Sequence, residues 1–143
     1  MAGAQFTTPR PVHPSKVTKR FTLAEANRTL PLVRRVVADV VRVHDRVTAL
    51  AVQRERGPAK EQQSAQNQFD AAVEQLQAYL EELRSIGCQL KDYQAGLVDF
   101  PASHQGRDIC LCWKLGEETI SHWHEMDAGF DGRQPIALLQ PSH

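Results

Sequence analysis

The sequence predicts an α+β fold in which a long antiparallel helical hairpin carries a small antiparallel sheet. Apolar residues recur at helical spacing from residue 21 to residue 87. After Cys88 the spacing changes to a two-residue alternation, which is typical of strands. Gly57-Pro58 divides the helical part into two helices of similar length. We therefore expect one domain, residues 21–143, with the hairpin at 21–87 and the sheet and a C-terminal loop at 88–143.

The first helical segment starts with a capping box. The hydroxyl of Thr22 can accept from the backbone N–H of Glu25, and the Glu25 carboxylate can accept from the N–H of Thr22. We expect a short helix to about Arg28. A longer helix then starts at Pro31, because proline is favoured in a first helical turn, and ends at Arg56. Valines spaced three and four residues apart predict its buried face.

The second long helix is predicted from Lys60 to Gly87, where a glycine can form a left-handed C-cap. The short break between the two helices favours an antiparallel hairpin. The apolar stripe of each helix is wider than one partner helix requires. Two explanations are open: a second copy of the chain completes a four-helix bundle as a homodimer, or the chain's own sheet covers the rest of the stripe.

Four strands are predicted in the C-terminal part. They are Gln89–Asp92, Leu97–Phe100, Ile109–Leu115 and Ile120–His124. A turn joins the first two strands and residues 116–119 join the last two, with a loop at 103–107 between the pairs. The alternation of side chains along these strands decides which polar residues share a face.

Composition excludes several classes of protein. Lysine plus arginine equals aspartate plus glutamate, 17 against 17, and no nucleic-acid-binding motif is present, so nucleic acid is not an expected partner. The sequence has no apolar run long enough for a bilayer span and no secretory signal, and its three cysteines are too few for a disulfide framework. We expect a cytoplasmic protein without membrane contact, and a flexible tail at residues 1–20.

The last two predicted strands carry side chains that commonly bind metals. Cys110 and Cys112 share one face of their strand, and His122 and His124 share one face of the next. If the hairpin register pairs them, the four form a Cys2His2 set suited to zinc. A three-residue connection between these strands gives that register, whereas a two- or four-residue connection does not. Residues 116–119 are compatible with either connection. The alternative is that the cysteines are small core residues.

A second arrangement combines His124 with acidic side chains. One histidine and two carboxylates suit iron, manganese or zinc with open coordination positions. The acidic candidates are Asp99, Glu117, Glu125 and Asp127. The alternative is a half-buried strand histidine that binds no ligand.

A third arrangement is a pocket for an anion or another small ligand. Its cations would be Lys91, Lys114 and Arg133, and its walls Trp113, Trp123 and Phe130. Arg133 follows a glycine-rich loop whose backbone N–H groups can approach a ligand. Asp99, Glu117 and His124 would transfer protons if burial shifts one of their pKa values. The alternative is a network of ion pairs that holds the C-terminal loop in place.

Several segments are distinctive in combination. They are Phe21–Asn27, Leu30–Pro31, Leu90–Asp92, Gly96–Pro101, Cys112–Glu117, Trp123–His124 and Gly129–Arg133. In these segments, from Phe21 to about Pro135, the chain resembles the family of small bacterial proteins known as domain of unknown function 2203. The resemblance implies a single domain and no particular activity. It gives more weight to Asp99, Glu117, His124 and Arg133 than to Cys110 or His122.

The leading hypothesis is a small protein that binds a divalent metal or a small ligand at a polar site around His124. The predicted metal ligands are His124, Glu117, Asp127 and His122, with Cys110 and Cys112 as alternatives, and the predicted ligand-binding residues are Asp99, Lys114, Arg133, Trp113 and Trp123. A second hypothesis is a noncatalytic interaction module that dimerises through the valine-rich hairpin. A third is a hydrolytic or redox enzyme.

Overall fold

In a computed structural model, which describes residues 19–139, the chain has the predicted α+β architecture. Within that range the helices α1 (Leu23–Arg56) and α2 (Ala59–Ile86) form an antiparallel hairpin and precede a five-stranded antiparallel sheet. The strands follow chain order across the sheet: β1 (Gln89–Asp92), β2 (Leu97–His104), β3 (Arg107–Lys114), β4 (His122–Glu125) and β5 (Gln134–Pro135). The predicted tail lies outside the described residues except for its last two. No helix within 19–139 has the length and apolar character to cross a membrane.

Helix α1 is continuous, although the sequence pattern predicts a new helix at Pro31. It begins where expected: the Thr22 hydroxyl accepts from the Glu25 N–H at 3.0 Å, and the Glu25 carboxylate accepts from the Thr22 N–H at 2.8 Å. Pro31 lies inside the helix and removes one hydrogen bond to the preceding turn. The helix continues because Leu30 and Val33, on either side of the proline, both pack in the main core.

The valine face of α1 packs against the sheet as well as α2. Val33, Val36, Val37 and Val40 belong to the same buried cluster as the strand residues. The chain's own sheet therefore covers much of the wide apolar stripe, which is one of the two explanations that the sequence leaves open. The homodimer stays a prediction. Helix α2 ends as predicted, at a left-handed Gly87 with φ +109°.

Strands β2 and β3 are longer than their sequence pattern predicts. They continue through residues 103–107, where a loop is predicted, to a two-residue turn at Gln105-Gly106. The φ angles of these two residues, 52° and 76°, are those that the tight turns of twisted hairpins require. Glutamine is not a usual residue at the first position of such a turn, so the sequence gives no clear signal for it.

The register of the sheet produces two buried faces. Cys110 lies opposite His124 and Cys112 lies opposite His122, which is the register that an odd-numbered connection gives. The helix-facing side, which we call the inner face, is apolar. Its main residues are Val98, Phe100, Leu111, Trp113 and Trp123. The other side, the outer face, buries Asp99, Cys110, Cys112 and His124.

Candidate metal centre

Three adjacent strands bring Asp99, Cys112 and His124 together on the outer face. Asp99 in β2 lies directly opposite Cys112 in β3, and His124 in β4 lies diagonally across from Cys112. One ligand atom from each residue lies within 4.8 Å of the other two. The three residues are only 4%, 0% and 3% exposed, respectively. A carboxylate, a thiol and an imidazole in this arrangement, which we call the triad, are a set of groups that can bind a transition metal.

Hydrogen bonds at both ring nitrogens fix the imidazole of His124. Nδ1 lies 2.7 Å from the backbone carbonyl oxygen of Glu125, and Nε2 lies 2.9 Å from Oδ1 of Asp99. Because a carbonyl oxygen only accepts hydrogen bonds, Nδ1 must carry a proton. Nε2 therefore donates a second proton to Asp99 as part of an imidazolium ion, and removal of that proton would leave a lone pair that faces the other two members of the triad. Histidines that bind metals are commonly held by such a bond at the remote nitrogen.

The neighbours of His124 favour its charged form when no metal is bound. Hydrogen bonds to Asp99 and Cys112 raise the pKa of the imidazole to about 10, although burial acts in the opposite direction. At neutral pH His124 is then an imidazolium ion that donates to Asp99. A metal ion would take the place of the proton on Nε2, so proton and metal compete for the same position.

The other two cysteines, Cys88 and Cys110, lie outside the triad. The sulfur of Cys110 lies 3.4 Å from the Met126 sulfur, and burial raises the pKa of the Cys110 thiol to about 12. Burial likewise raises the pKa of Cys88 to about 12. Both are therefore protonated, unreactive thiols at neutral pH. Of the predicted Cys2His2 set, Cys112 and His124 join the triad, whereas Cys110 and His122 do not.

Glu117 and Arg133 form a separate network. Arg133 Nη2 donates to Glu117 Oε1 at 2.7 Å and to the Cys112 carbonyl at 3.4 Å. The Glu117 carboxylate also accepts from the backbone N–H of Lys114 at 2.7 Å, and its second oxygen lies 3.6 Å from His122 Nδ1. This network connects the segment after β3 to the C-terminal loop. A network of ion pairs that holds the C-terminal loop is the alternative to a ligand pocket that the sequence leaves open for these residues.

Three other predicted residues lie away from the triad. Trp113 and Trp123 are on the inner face and fill the core, so they do not form the walls of a pocket around His124. Their placement follows from strand alternation, because each is next to a triad residue in the sequence. Asp127 is exposed and belongs to no group of three potential metal ligands within residues 19–139.

A cleft of about 610 Å³ leads to the triad, and Asp99 and His124 line it. The end of α2 and strand β1 form one side, and residues 126–130 form the other. Of the residues predicted for a ligand pocket, Lys91 and Phe130 line the cleft, whereas Lys114 and Arg133 are not among its lining residues. The ligand pocket itself stays a prediction. The other cations of the cleft, Lys19 and Arg84, come from segments distant in sequence, so only the tertiary fold reveals them.

The comparisons with known proteins place the chain in a family. A family model described as an uncharacterized conserved protein (DUF2203) matches residues 19–136. The chain belongs to the DUF2203 family. The match includes both helices and all three triad residues, and it confirms the family resemblance found in the sequence. No curated protein and no solved structure matches the chain.

Proposed function

We propose that this DUF2203 protein binds a divalent transition metal, Zn²⁺ in the first instance, through Asp99, Cys112 and His124. The observation that carries the proposal is the orientation of His124. Its Nδ1 is occupied by the Glu125 carbonyl, so its Nε2 is the atom that faces the carboxylate and the thiol. This is the arrangement in which an outer hydrogen bond orients a metal-binding imidazole.

The dimensions of the triad are close to those of a zinc site. Zinc bonds of about 2.0–2.3 Å in tetrahedral geometry separate ligand atoms by roughly 3.3–3.8 Å. The triad atoms lie within 4.8 Å of one another, and the Nε2–Oδ1 distance is 2.9 Å. Side-chain adjustments of about an ångström would therefore suffice, because the metal replaces the proton between His124 and Asp99.

The chemistry of the three groups supports zinc. A thiolate ligand favours zinc or iron and disfavours manganese, which prefers oxygen ligands. A divalent ion also balances the two negative charges of Asp99 and a deprotonated Cys112. This neutralisation offsets the cost of burying charged groups in a site that is at most 4% exposed. Three protein ligands leave a coordination position for water or a ligand, as in zinc sites that act on substrates.

Cobalt substitution tests both the metal and the identity of the ligands. We expect one equivalent of Co²⁺ or Zn²⁺ to bind chelator-treated protein, and the cobalt form to show thiolate-to-metal charge-transfer absorption. Cys112→Ser should lose that absorption. Cys110→Ser is the matched control, because Cys110 lies on the same strand and face, and it should retain the absorption.

Two results would contradict the proposal. One is the lack of stoichiometric metal binding by the wild-type protein, which would leave the triad as a buried imidazolium–carboxylate pair with a structural role. The other is metal binding that survives Asp99→Ala and His124→Ala but is lost in His122→Gln or Asp127→Asn. Circular dichroism of each variant would show whether it is folded before its metal content is compared.

A further inference from the structure

We propose that the cleft beside the triad binds a small amphipathic anion, a molecule with a carboxylate or phosphate group and an apolar body. This inference rests on the proposed metal site in one respect only. The end of the ligand that lies deepest in the cleft would face the open coordination position of the metal. The cleft residues outside the triad carry the rest of the argument. Those residues differ in charge and polarity from one side of the cleft to the other.

The size of the cleft limits the ligand to a small molecule. Its volume of about 610 Å³ lies within the range of about 300–1,000 Å³ that is usual for small-molecule sites. The floor is the outer face of the sheet, where Asp99, Cys110 and His124 are buried. Since two of these residues belong to the triad, a molecule in the cleft would contact the metal centre directly.

Three cations, Lys19, Arg84 and Lys91, line the cleft together with two carboxylates, Asp92 and Asp99. Asp99 is engaged by His124 at 2.9 Å, and the Asp92 carboxylate accepts from the backbone N–H groups of Gln94 and Ala95 at 2.8 and 2.9 Å. The acidic residues of the cleft thus have partners within the chain. Neutral N–H donors orient the Asp92 carboxylate but do not remove its charge, so the preference for an anion depends on the lysines of the cleft.

Lysines 19 and 91 are the cations best placed to bind such an anion. Arg84 also lines the cleft but is paired with Glu81 at 2.6 Å. Lys91 is exposed and forms no ion pair within residues 19–139. Lys19 lies over the ring of Phe21 at 4.8 Å, a contact that leaves its ammonium group able to donate hydrogen bonds. A carboxylate or phosphate that reaches either ammonium group would form charge-assisted hydrogen bonds.

The remaining lining is apolar, which favours an organic anion over an inorganic one. Leu97, Pro101, Met126 and Phe130 all line the cleft. Phe130 is 48% exposed, so about half of its surface is free to contact a ligand in the cleft. The charged groups of Lys114 and Arg133 lie 5.9 and 5.2 Å from this ring and help to position it. An apolar ligand body could pack against the free part of the ring.

Benzoate and its neutral analogue benzamide form a matched pair of probes. We expect benzoate to bind zinc-loaded protein, as seen by NMR shifts of the cleft residues, and benzamide to bind at least about tenfold more weakly. Phenyl phosphate tests whether the site prefers a phosphate. Lys91→Gln should weaken benzoate binding by about three- to tenfold, since an exposed charge is partly screened. Lys60→Gln, at the far end of the hairpin, is the control and should have no effect.

Zinc binding is measured on the same samples so that the two proposals fail separately. Zinc binding through the triad, together with no response to benzoate or phenyl phosphate, would overturn the anion site alone. Equal affinity for benzoate in the wild type and in both Lys91→Gln and Phe130→Ala would also overturn it. If zinc does not bind, but benzoate binds and the two variants weaken it, the metal proposal fails and the anion site stands.

Discussion

The inner and outer faces of the sheet are buried to a similar extent but differ in chemistry. On the inner face, Phe100 and Trp113 are fully buried among apolar neighbours. On the outer face, Asp99, Cys112 and His124 are at most 4% exposed. Burial of apolar groups is favourable by itself, whereas burial of ionisable groups costs free energy unless partners compensate. The inner face thus explains why the chain folds. On the outer face the contact between His124 and Asp99 provides compensation for burial, and the proposed metal would add to it.

The largest expected effect is on the inner face. Trp113→Ala should lower the free energy of unfolding by about 3–5 kcal/mol, because it removes a large buried side chain from the main core. The matched substitution on the outer face is Cys112→Ala, at the neighbouring position. It removes a single heavy atom and should cost only about 0.5–1.5 kcal/mol in chelator-treated protein. Denaturant unfolding measures both values, and equal losses would remove the energetic distinction between the faces.

The second effect is the stabilisation by metal. Zinc at about 100 times its dissociation constant should raise the free energy of unfolding by about 2.7 kcal/mol, if it binds only the folded state. His124→Ala should abolish this increment, which is measured as the difference between zinc-loaded and chelated samples. Val98→Ala, a destabilising change on the inner face, should keep it. An increment that disappears in both variants would indicate that zinc responds to overall folding and not to the outer face.

The third effect is a pH dependence of the chelated protein. His124 has its pKa raised to about 10 by its hydrogen bonds to Asp99 and Cys112, so the folded state binds a proton that the unfolded state loses near pH 6.5. The stabilisation is therefore fully present below about pH 6.5 and is lost as the pH rises through about 10. This proton alone lowers stability by at most about 1.4 kcal/mol per pH unit between those values, and above about pH 8.5 the buried thiols of Cys88 and Cys110 add to the fall.

Asp99→Asn tests the cause of that slope. The substitution removes the carboxylate that holds the proton on His124, so the unfolding free energy should lose most of its dependence on pH between neutrality and about pH 8, below the range in which the buried thiols of Cys88 and Cys110 contribute. His122→Gln is the control, since this histidine lies on the same strand and face but outside the triad. A slope that is unchanged in Asp99→Asn would mean that other groups produce it.

Local rules predict the helices well, and they are wrong where tertiary packing opposes them. The capping box at Thr22 and the glycine at 87 involve neighbouring residues, so the sequence shows the helix ends directly. Proline is commonly found in the first turn of a helix, so Pro31 predicts a helix start by local rules. The structure overrides it because Leu30 and Val33 gain more from a shared core than the one lost hydrogen bond costs.

The triad is harder to predict because it depends on two strand registers. Asp99 meets Cys112 only if the turn at Gln105-Gly106 is recognised, and His124 joins them only if the β3–β4 connection has an odd number of residues. The sequence signal for the turn is weak, because glutamine is unusual at its first position, and the sequence does not fix the length of the β3–β4 connection. Alternation alone, however, excludes Trp113 from the face that carries Cys112, so this part of the predicted pocket could have been rejected without a structure.

The smallest effect concerns the network beside the triad. Glu117→Gln keeps an acceptor for Arg133 and for the backbone N–H of Lys114 but removes the charge, so it should lower the free energy of unfolding by about 1 kcal/mol. Zinc affinity should stay within about twofold of the wild type, because Glu117 is not part of the triad. Asp99→Asn, in contrast, replaces a proposed ligand. Loss of a residue that only hydrogen-bonds to a ligand typically weakens metal binding about 10- to 100-fold, and Asp99→Asn should weaken zinc binding by more than that. Equal losses of zinc affinity in the two variants would make Glu117 a metal ligand, as the sequence alone suggests, and would overturn the three-residue site.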